Sequence, residues 1–139
     1  MPPRSARPKG IFGQKKDNPI RYLAIIASFL ALPVTAQQIA VPSGRVLSLF
    51  EVIIEDDMGR FRFVLPEIAD GVDFEDIVDD IDYVCSQVAL PALTQAGSDV
   101  SQLVISVSAA EVAFGEPTEI VQYFQPFRRV ADACVWEEF

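Results

Sequence analysis

The side chains of this chain that could do chemistry are two cysteines, Cys85 and Cys134, and a crowd of carboxylates. Its 139 residues include no histidine, and every lysine lies before residue 37. A Ser/His or Cys/His nucleophile pair is thereby excluded, and beyond residue 36 so is amine chemistry on lysine. Aspartic-protease chemistry calls for a motif such as Asp-Thr-Gly or Asp-Ser-Gly, and neither occurs. Two-carboxylate glycoside hydrolysis requires a long substrate cleft, more than residues 37–139 could build. Calcium requires several oxygens converging on one point, and Glu75, Asp76, Asp79, Asp80 and Asp82 are the richest source of them. At helical spacing, Glu75, Asp79 and Asp82 share one side while Asp76 and Asp80 share another. The carboxylates therefore diverge, and the cluster reads as a solvated acidic face rather than a metal site. Glu55-Asp56-Asp57 reads the same way, so no metal and no cofactor is expected.

The cysteines gain meaning from the segment that precedes them. Arg4, Arg7, Lys9, Lys15, Lys16 and Arg21 lead into the apolar run YLAIIASFLALPV, which closes on Val34-Thr35-Ala36. Basic, then apolar, then small residues is the order of a secretory signal peptide, with cleavage expected after Ala36. The run is well short of the roughly 20 residues that span a bilayer as a helix, so no stable membrane anchor is expected after cleavage. Residues 1–36 are thus read as a cleaved signal peptide and 37–139 as a single small domain, periplasmic or secreted. An even cysteine count in an oxidising compartment predicts one disulfide, Cys85 to Cys134. Nothing resembles the Cys-x-x-Cys of a redox pair, and no histidine can share a metal with the thiols.

Charge excludes one class of partner. All but Asp17 of the 20 acidic residues lie beyond residue 36, where the only bases are Arg45, Arg60, Arg62, Arg128 and Arg129. The exported part is therefore more acidic still than the whole chain, whose net charge is −9. Such a surface repels phosphate backbones, so nucleic acid is not a partner.

A second candidate for function is the aromatic and arginine-bearing C-terminal segment, since aromatic residues and arginine anchor many protein interfaces. Core packing claims much of Tyr123, Phe124, Phe127 and Trp136 in so small a domain. Arg128 and Arg129, being adjacent, are expected to project to opposite sides of a strand. Tyr123, Phe127, Arg128, Arg129 and Phe139 are accordingly the candidate partner contact.

The elements that must position these groups follow from periodicity. Gln37 to Gly44 reads as an extended lead-in, and Arg45–Asp57 and Phe61–Leu65 as two strands joined at Asp57-Met58-Gly59-Arg60. The expected register sets Ile54 against Phe63 and Val52 against Leu65 on one face, with Asp57 against Arg60 and Glu55 against Arg62 on the other. That gives Arg60 and Arg62 structural partners. Phe74, Ile77, Val78, Ile81, Cys85 and Val88 recur at spacings of three and four, predicting a helix from Asp73 to Leu90 that is capped by Asp73 and stopped by Pro91. Gln102–Ser108 is an interior strand, Phe114-Gly115 a turn and Pro117–Gln125 a short helix ended by Pro126. Arg128–Val130 and Cys134–Glu138 form a last hairpin in which Cys134 and Trp136 point the same way. The fold class is α+β: an antiparallel sheet of four or five strands with one main helix packed on one face, tied by one disulfide.

VPSGRVLSLFEVI, RFRFVLPEIA, DFEDIVDDIDYVC, VISVS followed by FGEPTEIVQYF, and the terminal CVWEEF resemble, in that order, a family of small exported alphaproteobacterial proteins of unknown function. The resemblance implies an exported domain with paired cysteines and carries over no catalytic residue. The sequence therefore points to a non-enzymatic binding or accessory module for another envelope protein. The alternative is a small acidic module that binds a cation or a cationic ligand.

Overall fold

A computed structural model of the chain describes residues 36–138. The segment before Ala36, expected to be a signal peptide, and the candidate contact Phe139 lie outside the described residues. Six strands form one sheet in sequence order: β1 (Gln37–Ala40), β2 (Val46–Glu55), β3 (Met58–Val64), β4 (Gln102–Ser108), β5 (Gln122–Val130) and β6 (Ala133–Trp136). The expectation of four or five strands is corrected to six. The lead-in at Gln37 is itself an edge strand, pairing Gln37 with Leu49 and Ala40 with Val46.

All neighbours are antiparallel except β3 and β4, which run parallel from Met58↔Gln102 to Val64↔Ser108. That pairing corrects the all-antiparallel expectation, and its cause is the helix between the two strands. A chain that leaves a strand, crosses the sheet on a helix and returns beside it re-enters in the same direction. The crossing element comprises α1 (Phe74–Val84), a π-helical turn (Cys85–Ala89) and α2 (Leu90–Gln95). Asp76 accepts the Asp73 backbone N–H at 2.9 Å, closing the first turn.

Pro91 does not stop the helix, contrary to expectation. A proline inside a helix lacks its own N–H and clashes with the carbonyl four residues back. The wider π turn immediately before it, in which the Leu90 N–H reaches back to Cys85 O, accommodates that ring, and the chain stays helical to Gln95.

The alternation of each strand places Leu47, Phe61, Phe63, Leu103, Ile105 and Phe127 on the face toward the helix, where all are essentially inaccessible to solvent. Ile77, Ile81, Val84 and Cys85 of the helix complete this core. Burying each large apolar side chain is worth about 1.5–3 kcal/mol. Cys85 is bonded to Cys134 across a sequence separation of 49, fastening the helix to edge strand β6. In the loop-entropy view, closing a loop of that length stabilises the fold by roughly 4 kcal/mol.

The β2–β3 register differs from expectation by four. Glu55 pairs with Met58, Val52 with Phe61 and Glu51 with Arg62, and a bulge lies between Leu49 and Glu51. The turn is Asp56-Asp57, with Asp56 in the left-handed region at φ 49°. An even shift preserves faces, so Val52, Ile54, Phe63 and Leu65 still share the helix side while Arg60 and Arg62 point away from it. Asp57, expected opposite Arg60, instead accepts the Ser101 backbone N–H at 2.8 Å and the Ser101 hydroxyl. These bonds pin the start of β4.

The expected helix over Pro117–Gln125 is absent. Residues 109–121 form an irregular connection and Gln122 opens β5, with Pro126 inside the strand opposite Val104. Pro126 needs no N–H there, and its carbonyl accepts from Glu137 N at 3.1 Å.

Candidate functional site

The sheet face away from the helix has a different character. Arg60 and Arg62, two apart on β3, both project there, and Val104 and Ser106 stand beside them on β4. Phe124 of β5 lies opposite Ser106 and is 57 % exposed. The connection 109–121 folds back over this face. It turns at Ala113–Glu116, where Glu116 N bonds to Ala113 O at 3.3 Å and Gly115 takes φ 79°, a conformation that glycine adopts without steric cost. The turn sets the Phe114 ring over both guanidiniums, 5.3 Å from Arg60 and 5.6 Å from Arg62.

The two arginines are in different states. Arg62 is 6 % exposed and fully engaged. It is ion-paired to Glu51, donates to Val112 O at 2.9 Å, and has the Phe50 ring 5.0 Å from its guanidinium carbon on a second side. The β2 bulge supplies that ring, since an extra residue in a strand re-aims its side chain. The Arg60 side chain makes no hydrogen bond among the described residues. Its side chain is 30 % exposed, its approach to Glu55 is 3.9 Å, and its Nε is buried without a partner. An unpaired donor on a half-buried guanidinium is costly unless an acceptor arrives. Arg60, Arg62, Ser106, Gln122, Phe114 and Phe124 are among the residues enclosing a pocket of about 220 Å³ on this face.

The candidate contacts named from sequence are placed elsewhere. Phe127 is wholly buried and has no surface to offer. Tyr123 is half-buried beneath its hydrogen bond to Val72 O at 3.1 Å. Arg129 points to the helix side and donates to Ser98 O at 2.8 Å, tying β5 to the loop after α2. Arg128 projects oppositely, is exposed and meets Glu137 at 3.5 Å. Of these residues, Arg128 alone presents an exposed outward cation, and it is paired with Glu137. Cys134 and Trp136 share a face, and Trp136 Nε1 donates to Asp82 at 2.8 Å.

The acidic helix is less uniformly solvated than its composition suggests. Asp80 is 1 % exposed and holds Ser43. Asp82 holds Trp136, Asp76 closes the first turn, and Glu75 and Asp79 remain in solvent. Among the described residues no three acidic or cysteine side chains converge as metal ligands do. A larger groove of about 380 Å³ lies between α2 and β2, walled by Val52, Ile54, Val88 and Pro91. No charged group lines it.

Sequence reasoning gave Arg60 and Arg62 structural ion pairs and so missed the pocket. A signal was present: two arginines two apart on a strand fall on one face, in a segment with few other bases.

Residues 25–139 match a family of unknown function, DUF6497. The chain belongs to that family. No curated protein and no solved structure matches it. The match takes in every strand and helix of the DUF6497 domain described above, including the arginine pocket and both cysteines. No described helix of this DUF6497 chain is long and apolar enough to cross a membrane.

Proposed function

We propose that this DUF6497 chain is an exported, non-enzymatic module that binds another protein of the cell envelope, with the Arg60 pocket on the open sheet face as its recognition site. The observation that carries the reading is Arg60, a guanidinium without a hydrogen bond among the described residues, lying against the exposed Phe114 ring in a pocket that the exposed Phe124 also lines. Interfaces concentrate their binding energy in such arginine and aromatic anchors.

Export is supported by the basic and apolar residues before Ala36 and by the paired cysteines, which suit an oxidising compartment. A non-enzymatic role is supported by the want of histidine and by the structural duties of Asp57, Asp76, Asp80 and Asp82.

The test is capture of envelope proteins on the tagged wild type, on R60Q and F124A, and on Y83A, which alters an exposed residue of α1. A partner retained by wild type and Y83A and lost from R60Q and F124A agrees with the proposal. Retention by the wild type and all three variants would move the recognition site off this face.

A further inference from the structure

We infer that the pocket between β3, β4, β5 and the 109–121 connection is a carboxylate site. It takes a monoanionic carboxylate bearing an apolar or aromatic substituent, as at the C-terminus of a protein chain or in a small organic acid. The inference deepens the recognition role proposed above and rests on it.

Four observations select this chemistry. The first is a guanidinium with unused donors: the Arg60 side chain makes no hydrogen bond among the described residues and stands 3.9 Å from Glu55. A planar fork of N–H donors matches a carboxylate in geometry and charge. The second is that the neighbouring cation is already spent. Arg62 is ion-paired to Glu51 and bonded to Val112 O, so of the two guanidiniums only Arg60, whose ion pair with Glu55 is a long 3.9 Å, keeps a donor without a hydrogen bond. Glu116 in the lining and the acidity of the whole molecule weigh against a dianion. The third is the wall: Phe114, Phe124 and Val104 supply apolar surface, with Phe124 57 % exposed. The fourth is size, since about 220 Å³ holds one side chain or one small acid, below the roughly 300–1,000 Å³ of drug-sized ligand sites. Ser106 and Gln122 add neutral donors to the lining.

The experiment follows the Arg60 Nε–Hε and Phe124 backbone resonances of the ¹⁵N-labelled protein recovered from the periplasm. Four probes are titrated: N-acetyl-phenylalanine, its carboxamide, and a pentapeptide ending in phenylalanine with a free or an amidated terminus. The free acids are expected to shift both resonances saturably, and the amides to bind about 10- to 100-fold more weakly, the worth of one charge-assisted hydrogen-bonded pair. R60Q is expected to abolish that preference while leaving the amides unaffected. R60K, which keeps the charge and loses the fork, retains part of it. F124A weakens acid and amide alike.

Tighter binding of the free-acid pentapeptide than of N-acetyl-phenylalanine assigns the site to a chain terminus, and the reverse order to a small acid. Equal binding of acid and amide, no saturable shift with any probe, or an unaltered preference in both R60Q and R60K would overturn the inference. So would inorganic phosphate binding as tightly as N-acetyl-phenylalanine. If every carboxylate fails while envelope capture still depends on Phe124, the ligand class falls and the recognition face stands.

Discussion

The Asp80 carboxylate, midway along α1, accepts the Ser43 backbone N–H at 3.0 Å and the Ser43 hydroxyl at 2.7 Å. A helix that is acidic along its length thus turns one carboxylate inward to hold the β1–β2 turn, and with it the edge of the sheet. Replacing that group leaves a donor pair without its acceptor. D80A is expected to lower unfolding free energy by about 1–3 kcal/mol in urea titration. D79A, at a solvated position one residue away, should stay within about 0.5 kcal/mol of wild type. Equal losses at the two positions would contradict this account of the turn.

Asp57 provides a pH signature. The Ser101 hydroxyl, aided by the Ser101 backbone N–H, holds its carboxyl below the ordinary value of 3.8, with slight desolvation opposing. A carboxyl whose folded value lies below its unfolded one stabilises the fold above the unfolded value and loses that contribution as pH falls through the folded value. The thermal-midpoint gap between wild type and D57N should therefore be full at neutral pH and close in acid below 3.8. A gap independent of pH would show that the bonds to Ser101 do not require the charged form.

Cys85 and Cys134 should resist alkylation in the folded, non-reduced protein. The double variant C85A/C134A should lose about 2–5 kcal/mol of stability, because the π turn after α1 and β6 are far apart in sequence and this bond fastens them. Ready labelling without reductant would show the bond to be open.

Legibility from sequence tracked how local each determinant was. The helix from Phe74 could be read because its apolar stripe recurs within a few turns, and the Phe114-Gly115 turn because glycine marks it. The faces of β2 and β3 were legible, yet their partners were not: alternation has a period of two, so a slip of four is invisible to it. The turn decided the matter through Asp56 at φ 49°, a conformation that aspartate tolerates better than most residues. Proline misled twice. Pro91 sits after a π turn that relieves its clash, and Pro126 occupies a strand position where its carbonyl alone is needed. The pocket was hidden because it forms only when residues 109–121 return over β3, a contact between segments some 50 residues apart.

Export predicts a particular terminus. Intact mass of the protein recovered from the periplasm should correspond to a chain beginning at Gln37, following the small residues Val34-Thr35-Ala36. Full-length protein in the membrane fraction would reverse that expectation.

The recognition role of the open sheet face is tested most directly by photo-crosslinking in cells. A benzophenone amino acid is placed at Phe124 in one strain and, as the control on α1, at Tyr83 in another; both positions are exposed. The account predicts a discrete protein adduct from position 124 that disappears when Arg60→Gln is added, and no such adduct from position 83. The same adduct from both positions, or an adduct from 124 that survives the loss of Arg60, would contradict it.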